Sequence, residues 1–153
     1  MKIFVDKKIV HIQFEDTMPF RASRKKSVKG LSAGRNKTYS DIKRDFIDAL
    51  RDIEKDCQVI RYTGRVLICY SVQITKDTIS YDYDNLWIAD IQDLIASMFL
   101  DPPDDSVKKC DVLYRCVTGD KESFSVDIVP DNKIDEFLHK IYGDIESIIP
   151  PLR

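Results

Sequence analysis

No apolar run in this 153-residue chain approaches the ~20 residues needed to cross a bilayer. The opening stretch, Met1 to Lys8, lacks the apolar centre of a secretory signal, so the expected location is the cytoplasm, where the chain is made. Cys57, Cys69, Cys110 and Cys116 include no Cys-x-x-Cys pair, and only His11 and His139 join them, which is poor material for zinc. Cys69 lies inside an apolar strand pattern and Cys57 at the end of a helical one, so these read as reduced packing cysteines. No Ser or Cys nucleophile signature claims His11, which falls on the second face of a strand. Internal repeats are lacking, and low complexity is confined to one basic stretch. Nor is there an excess of charge: 24 Lys and Arg against 26 Asp and Glu leave a net of −2, which by itself does not imply a nucleic-acid partner.

With 43% hydrophobic and 33% charged residues, the composition is that of a soluble globular protein. A chain of this length forms a single domain, burying roughly 68–70% of its unfolded surface. Residues 2–14 read as extended, with Val10, Ile12 and Phe14 alternating against His11 and Gln13 and a hairpin turn at Asp6-Lys7-Lys8. From Thr38 the spacing becomes helical, with Ile42, Phe46, Ala49, Leu50, Ile53 and Cys57 on one stripe; Thr38 or Ser40 can cap it, and Asp41 suits its positive end. Val66 to Thr75 alternates with apolar residues on both faces early on, as a central strand does. A second helix is expected over Asn85 to about Leu100, packing through Leu86, Ala89, Leu94, Ile95 and Met98. Asp90 is taken as solvent-facing and Trp87 as a packing residue. It ends at Asp101-Pro102-Pro103. Residues 110–117 and 123–129 are expected to pair as a hairpin around Gly119-Asp120, and a last helix carries Ile134, Phe137, Leu138, Ile141, Ile145 and Ile148.

Two stretches carry chemistry. Residues 21–44 hold nine Lys or Arg against one acid, Asp41. The first part, rich in Gly and Ser, reads as a basic loop suited to phosphates, or as a solvated loop balancing an acidic remainder. In Ser80-Tyr81-Asp82-Tyr83-Asp84-Asn85-Leu86-Trp87, an extended backbone puts Asp82 and Asp84 on one face with origins roughly 6.6 Å apart. Both carboxylates can then reach one hard cation such as Mg²⁺; equally, Asp and Asn at this position cap a helix. Asp104-Asp105 could bring back a third carboxylate or simply solvate a turn.

Over about residues 9–129 this order of elements, with Asp82-Tyr83-Asp84-Asn85-Leu86 at a strand-to-helix junction, Asp104-Asp105 after the helix and basic residues upstream, resembles the RusA-like Holliday junction resolvases. These are small endodeoxyribonucleases of DNA recombination and repair, often carried by phages. The resemblance implies an α+β fold: a mixed β-sheet packed with two helices, here plus a C-terminal helix. The domain would span residues 1–130 with the basic loop at 21–37, and residues 131–153 would be a helical extension of it. It implies Mg²⁺ held by Asp82, Asp84 and Asp105, with Asp104 as fallback, and branched DNA held by Arg21, Arg24, Lys25, Lys26, Lys29, Arg35 and Lys37. It also implies a homodimer whose two sites nick opposed strands. The sequence departs from the family at Ile88, where a lysine is common and for which only Lys108 or Lys109 could substitute, and in the weakly basic Thr75–Ser80. Two other readings follow from the same residues: a DNA-binding module without cleavage, and an interaction protein docking an acidic partner through the basic loop.

Overall fold

The chain begins with two strands joined by the tightest kind of turn. In the computed structural model, which describes residues 1–14, 18–19, 38–54, 60–78 and 86–143, β1 (Lys2–Asp6) pairs antiparallel with β2 (Ile9–Phe14). Lys7 and Lys8 both take positive φ, 48° and 68°, which matches a two-residue hairpin turn to the right-handed twist of its strands. Val10, Ile12 and Phe14 are buried, as their alternation predicts.

Helix α1 (Tyr39–Glu54) starts at Thr38, whose Oγ1 accepts from the Asp41 N–H at 3.2 Å while the Asp41 carboxylate accepts from Thr38 N and Oγ1 at 3.1 and 2.8 Å. Ile42 and Phe46 are fully buried, each worth about 1.5–3 kcal/mol. That burial, rather than the exposed cap, holds the helix to the sheet. The cap does make the first turn pH-sensitive. The Thr38 backbone and hydroxyl bonds hold the Asp41 carboxyl below its ordinary 3.8. Since the folded value is depressed, the cap's contribution is complete above 3.8 and lost as pH falls through the lower folded value. The protection of the Thr38 and Asp41 amides, taken as exchange relative to the intrinsic rate at each pH from about 6 to about 2, should be lost only at the acid end.

β3 (Val66–Ile74), α2 (Ile88–Phe99), β4 (Cys110–Thr118) and β5 (Ser123–Pro130) complete a five-stranded mixed sheet of order β1-β2-β5-β3-β4. Here the fold departs from the expected β4–β5 hairpin: β3 lies between them, parallel to β4 and antiparallel to β5. Val66 to Tyr70 are all buried, so β3 needs neighbours on both edges as well as cover on both faces. The β4–β5 connection arches over its end, with Gly119 N–H donating to Ile74 O at 2.8 Å and Gln73 Nε2 to Lys121 O at 2.9 Å. A Cβ at Gly119 would meet Gln73 Nε2 at 2.2 Å.

One sheet face, with Ile12, Phe14, Ile68, Tyr70, Phe124 and Val126, packs against α1 and α2 in the main core. The other carries Leu67, Cys69 and Val129, covered by Phe137 of α3 (Ile134–Tyr142) together with Ile134, Leu138 and Ile141. α3 follows a short 3₁₀ turn at Asp131–Lys133 and stops at Gly143, whose φ of 70° lets its N–H reach His139 O. The remaining residues expected on this helix, Ile145 and Ile148, lie outside the described residues, as does Cys57. The architecture is thus α+β, a mixed sheet with helices on both faces. Leu86, just before α2, and Leu94 and Ile95 on it are buried as expected, joined by Ile88, Ile91 and Phe99, whereas Ala89 is exposed. Trp87 is half-buried against Tyr39, their rings 6.3 Å apart, which is a packing role. No helix among the described residues is long and apolar enough to cross a membrane.

Candidate acidic site beside α2

Two prolines end α2, and the loop from Asp101 to Lys109 that follows carries Asp104 and Asp105. Asp101-Pro102 is cis. Both ends of the loop are tied down. At its start Asp101 N–H donates to Tyr62 O at 2.9 Å, and Leu100 bridges Tyr62. At its end Lys109 N–H and Cys110 N–H both donate to Ser106 O at 2.9 Å, and Arg65 donates to the carbonyls of Val107 and Lys108 at 2.7 and 2.8 Å. Arg65 also pairs with Asp111 at 2.7 Å.

The two aspartates of this loop have different tasks. Asp104 accepts the N–H of Ser106 at 2.8 Å, closing an Asx turn, and this bond holds its carboxyl below the usual value. Asp105 instead folds back onto α2. Its Oδ2 accepts from Gln92 Nε2 at 3.2 Å, and Gln92 Oε1 accepts from the hydroxyl of Tyr70 at 3.1 Å. Tyr70 is fully buried and stacks on Tyr114, ring centroids 5.5 Å apart. Burial above all, with the negative charges of Asp105 and Asp93 adding to it, pushes the Tyr70 phenol up, so it stays a donor. That fixes the amide: Gln92 must present its oxygen to Tyr70 and its N–H to Asp105. Burial, with the carboxylates of Asp105 and Asp104 adding to it, also pushes the neighbouring Cys110 thiol up to about 11, leaving it an inert packing group.

Among the described residues Asp105 has no ion-pair partner, so a half-buried carboxylate is held by one neutral donor and keeps lone pairs for a hard cation. No group of three or more His, Cys, Asp or Glu that could hold a metal occurs among the described residues. Asp82 and Asp84 lie outside them, as do the basic-loop residues Arg21, Arg24, Lys25, Lys26, Lys29, Arg35 and Lys37.

Of Lys108 and Lys109, the structure commits one to its own backbone. Ile88 is buried in α2. Lys109 is buried as well, and its ammonium donates to three backbone carbonyls: Tyr62 O at 3.1 Å, Thr63 O at 2.7 Å and Asp101 O at 3.0 Å. An ammonium has three protons, and all three are engaged. Lys109 is therefore a structural tie, and Lys108, exposed on the same loop, is the remaining cation near Asp105 in sequence.

Sequence reading alone missed Gln92 and Tyr70, which carried no signal beyond their places on a helix and a strand. It missed a second group of cations too: an open cleft of about 420 Å³ at the start of β3 is lined by Lys8, Arg61 and Arg65, with Asp131 opposing them. His11 lies on the second sheet face as expected, but it stacks on Phe4 and its Nδ1 donates to the carboxylate of Asp127, its register neighbour on β5. Cys69 is buried as expected, whereas Cys116 is exposed on β4 and does not pack. Compared with known proteins, the chain matches no family model, no curated protein and no solved structure.

Proposed function

We propose that the chain is a Mg²⁺-dependent, structure-selective endodeoxyribonuclease that nicks branched DNA such as four-way junctions. The observation that carries this reading is the Asp82-Tyr83-Asp84-Asn85-Leu86 motif running directly into α2, with Asp105 drawn back against that same helix by Gln92. The donor set fits the metal: three carboxylates offer the hard oxygen ligands that Mg²⁺ accepts while it keeps waters. Asp82, Asp84 and Asp105 would hold it, and when bound it supplies Lewis acidity at a phosphoryl oxygen and a bound water of lowered pKa. Gln92 orients the Asp105 carboxylate, and the braced 101–109 loop keeps it from swinging into solvent. The basic loop at 21–37, with Lys8 and Arg61 of the described cleft, would contact phosphates and contribute affinity with little sequence reading. The partners are then branched DNA and a second copy of the chain.

The engagement of Lys109 favours one alternative. With Ile88 buried and Lys109 tied to backbone, the site offers fewer cations than the family pattern, which suits a module that binds junctions without cutting them. Labelled four-way junction and matched linear duplex, incubated with the chain and its Asp82→Asn and Asp84→Asn variants in Mg²⁺, separate the readings. Junction-selective nicking lost in both variants supports the nuclease. Salt-sensitive binding without nicking in Mg²⁺ or Mn²⁺ supports the binding module, and neither binding nor nicking sinks both.

A further inference from the structure

The two edges of the sheet are built differently. β1 is five residues long and leads into the charged turn Asp6-Lys7-Lys8, the short and charged build that discourages pairing with another chain. β4 is nine residues long, contains no proline and ends the sheet among the described residues. On its helix-covered side Val112 is 39% and Tyr114 47% exposed, and Cys116 is exposed beyond them. A long edge of this kind, with alternate N–H and C=O groups turned outward and apolar side chains beside them, is a template for another strand.

The sequence of β4, Cys-Asp-Val-Leu-Tyr-Arg-Cys-Val-Thr, is complementary to itself when reversed about Leu113. Antiparallel pairing of two copies centred there sets Val112 against the partner's Tyr114 and Asp111 against the partner's Arg115, each contact occurring twice by symmetry. Moving the centre to Val112 or Tyr114 removes both ion pairs. Within one copy Asp111 also pairs with Arg65 at 2.7 Å and the Arg115 guanidinium lies over the Tyr142 ring, so the cross-strand pairs add to contacts both side chains keep. Exposed charge pairs add little affinity, so their role is to select the register, and the apolar row supplies the adhesion.

We propose that β4 is a self-pairing edge, and that two copies of this chain join through it, centred on Leu113, into one continuous ten-stranded sheet. The two-fold axis is perpendicular to that sheet, so α1 and α2 of both copies stand on one side and both Asp105 loops open toward it. The inference goes beyond the nuclease reading and holds whether or not the chain cuts DNA.

The test is sedimentation of the full chain, alone and as Val112→Lys, with a cysteine pair as a ruler. The wild-type chain should be a dimer. Val112→Lys, at an exposed position, should keep the far-UV circular dichroism of the folded chain and weaken the dimer about 100-fold, two charges entering each interface. Leu113→Cys in a Cys116→Ser background should form an interchain 113–113 disulfide on mild oxidation, because opposed Cα atoms at the centre of an antiparallel pair lie about 4.5–5.5 Å apart, within the span a disulfide bridges. A wild-type chain that stays monomeric at about 100 µM overturns the proposal, as does a dimer indifferent to Val112→Lys. A Val112→Lys-sensitive dimer that forms no 113–113 disulfide overturns the register.

Discussion

Asp105→Asn should lower Mg²⁺-dependent nicking by about 10²–10³-fold and leave junction binding intact, whereas Asp104→Asn should change the rate by no more than a few-fold. The contrast follows from what each carboxylate does. Asp105 reaches α2 through Gln92 and has no ion-pair partner among the described residues, so its charge is available to a metal. Asn keeps its shape and can still accept from Gln92, and only the charge is lost. Asp104 is occupied by the Ser106 N–H, and Asn closes the same turn. Gln92→Leu gives a related but smaller effect: it frees Asp105 to sample other rotamers while leaving the carboxylate, so activity should fall less than in Asp105→Asn and recover in part at high Mg²⁺. Single-turnover nicking at saturating enzyme reads all three. Equal losses for Asp104→Asn and Asp105→Asn would remove the division of labour drawn here.

The largest stability effect is expected at Lys109. Replacing it by Met keeps most of the apolar stem but takes the donor from the carbonyls of Thr63 and Asp101 and leaves that of Tyr62 with the Asp101 N–H alone. Leaving one buried polar group unpaired costs about 1–3 kcal/mol, and water can reach some of these groups, so about 3–5 kcal/mol is the expected loss for the whole knot. Urea unfolding should show it as a lower midpoint with an unchanged slope. Lys109→Ala should cost slightly more, since the stem is lost as well. The partly unfolded knot would also release the start of the loop that holds Asp105, so nicking should fall in proportion to the folded fraction. A Lys109→Met variant that folds with full stability but cannot nick would show that this lysine serves chemistry rather than structure. Lys108→Met, on an exposed side chain, should leave stability within about 0.5 kcal/mol.

Local physics was legible before any coordinates. The Lys7-Lys8 turn, the Thr38 cap with Asp41, the stripe of Ile42 and Phe46 and the stop at Pro102-Pro103 each depend on residues within a few positions of one another. Backbone sterics and side-chain periodicity act over that range. What periodicity could not reveal was neighbourhood. An alternation of two tells which side chains share a face and says nothing about which strand lies alongside. β4 and β5 therefore looked like a hairpin, while the need of β3 for cover on both edges drew it between them.

The candidate site divides the same way. Sequence by itself determined the acidic motif, its place just before a helix and the later aspartate pair. Only tertiary structure decided that Asp105 rather than Asp104 turns to α2, that Gln92 and Tyr70 steer it, that His11 meets Asp127, and that Lys109 is spent on carbonyls. Each of those outcomes joins residues 8 to 116 positions apart, from Lys109 with Asp101 to His11 with Asp127. Buried hydrogen-bonding groups must find partners wherever folding leaves them, and that demand is met across the sheet and its loops rather than along the chain.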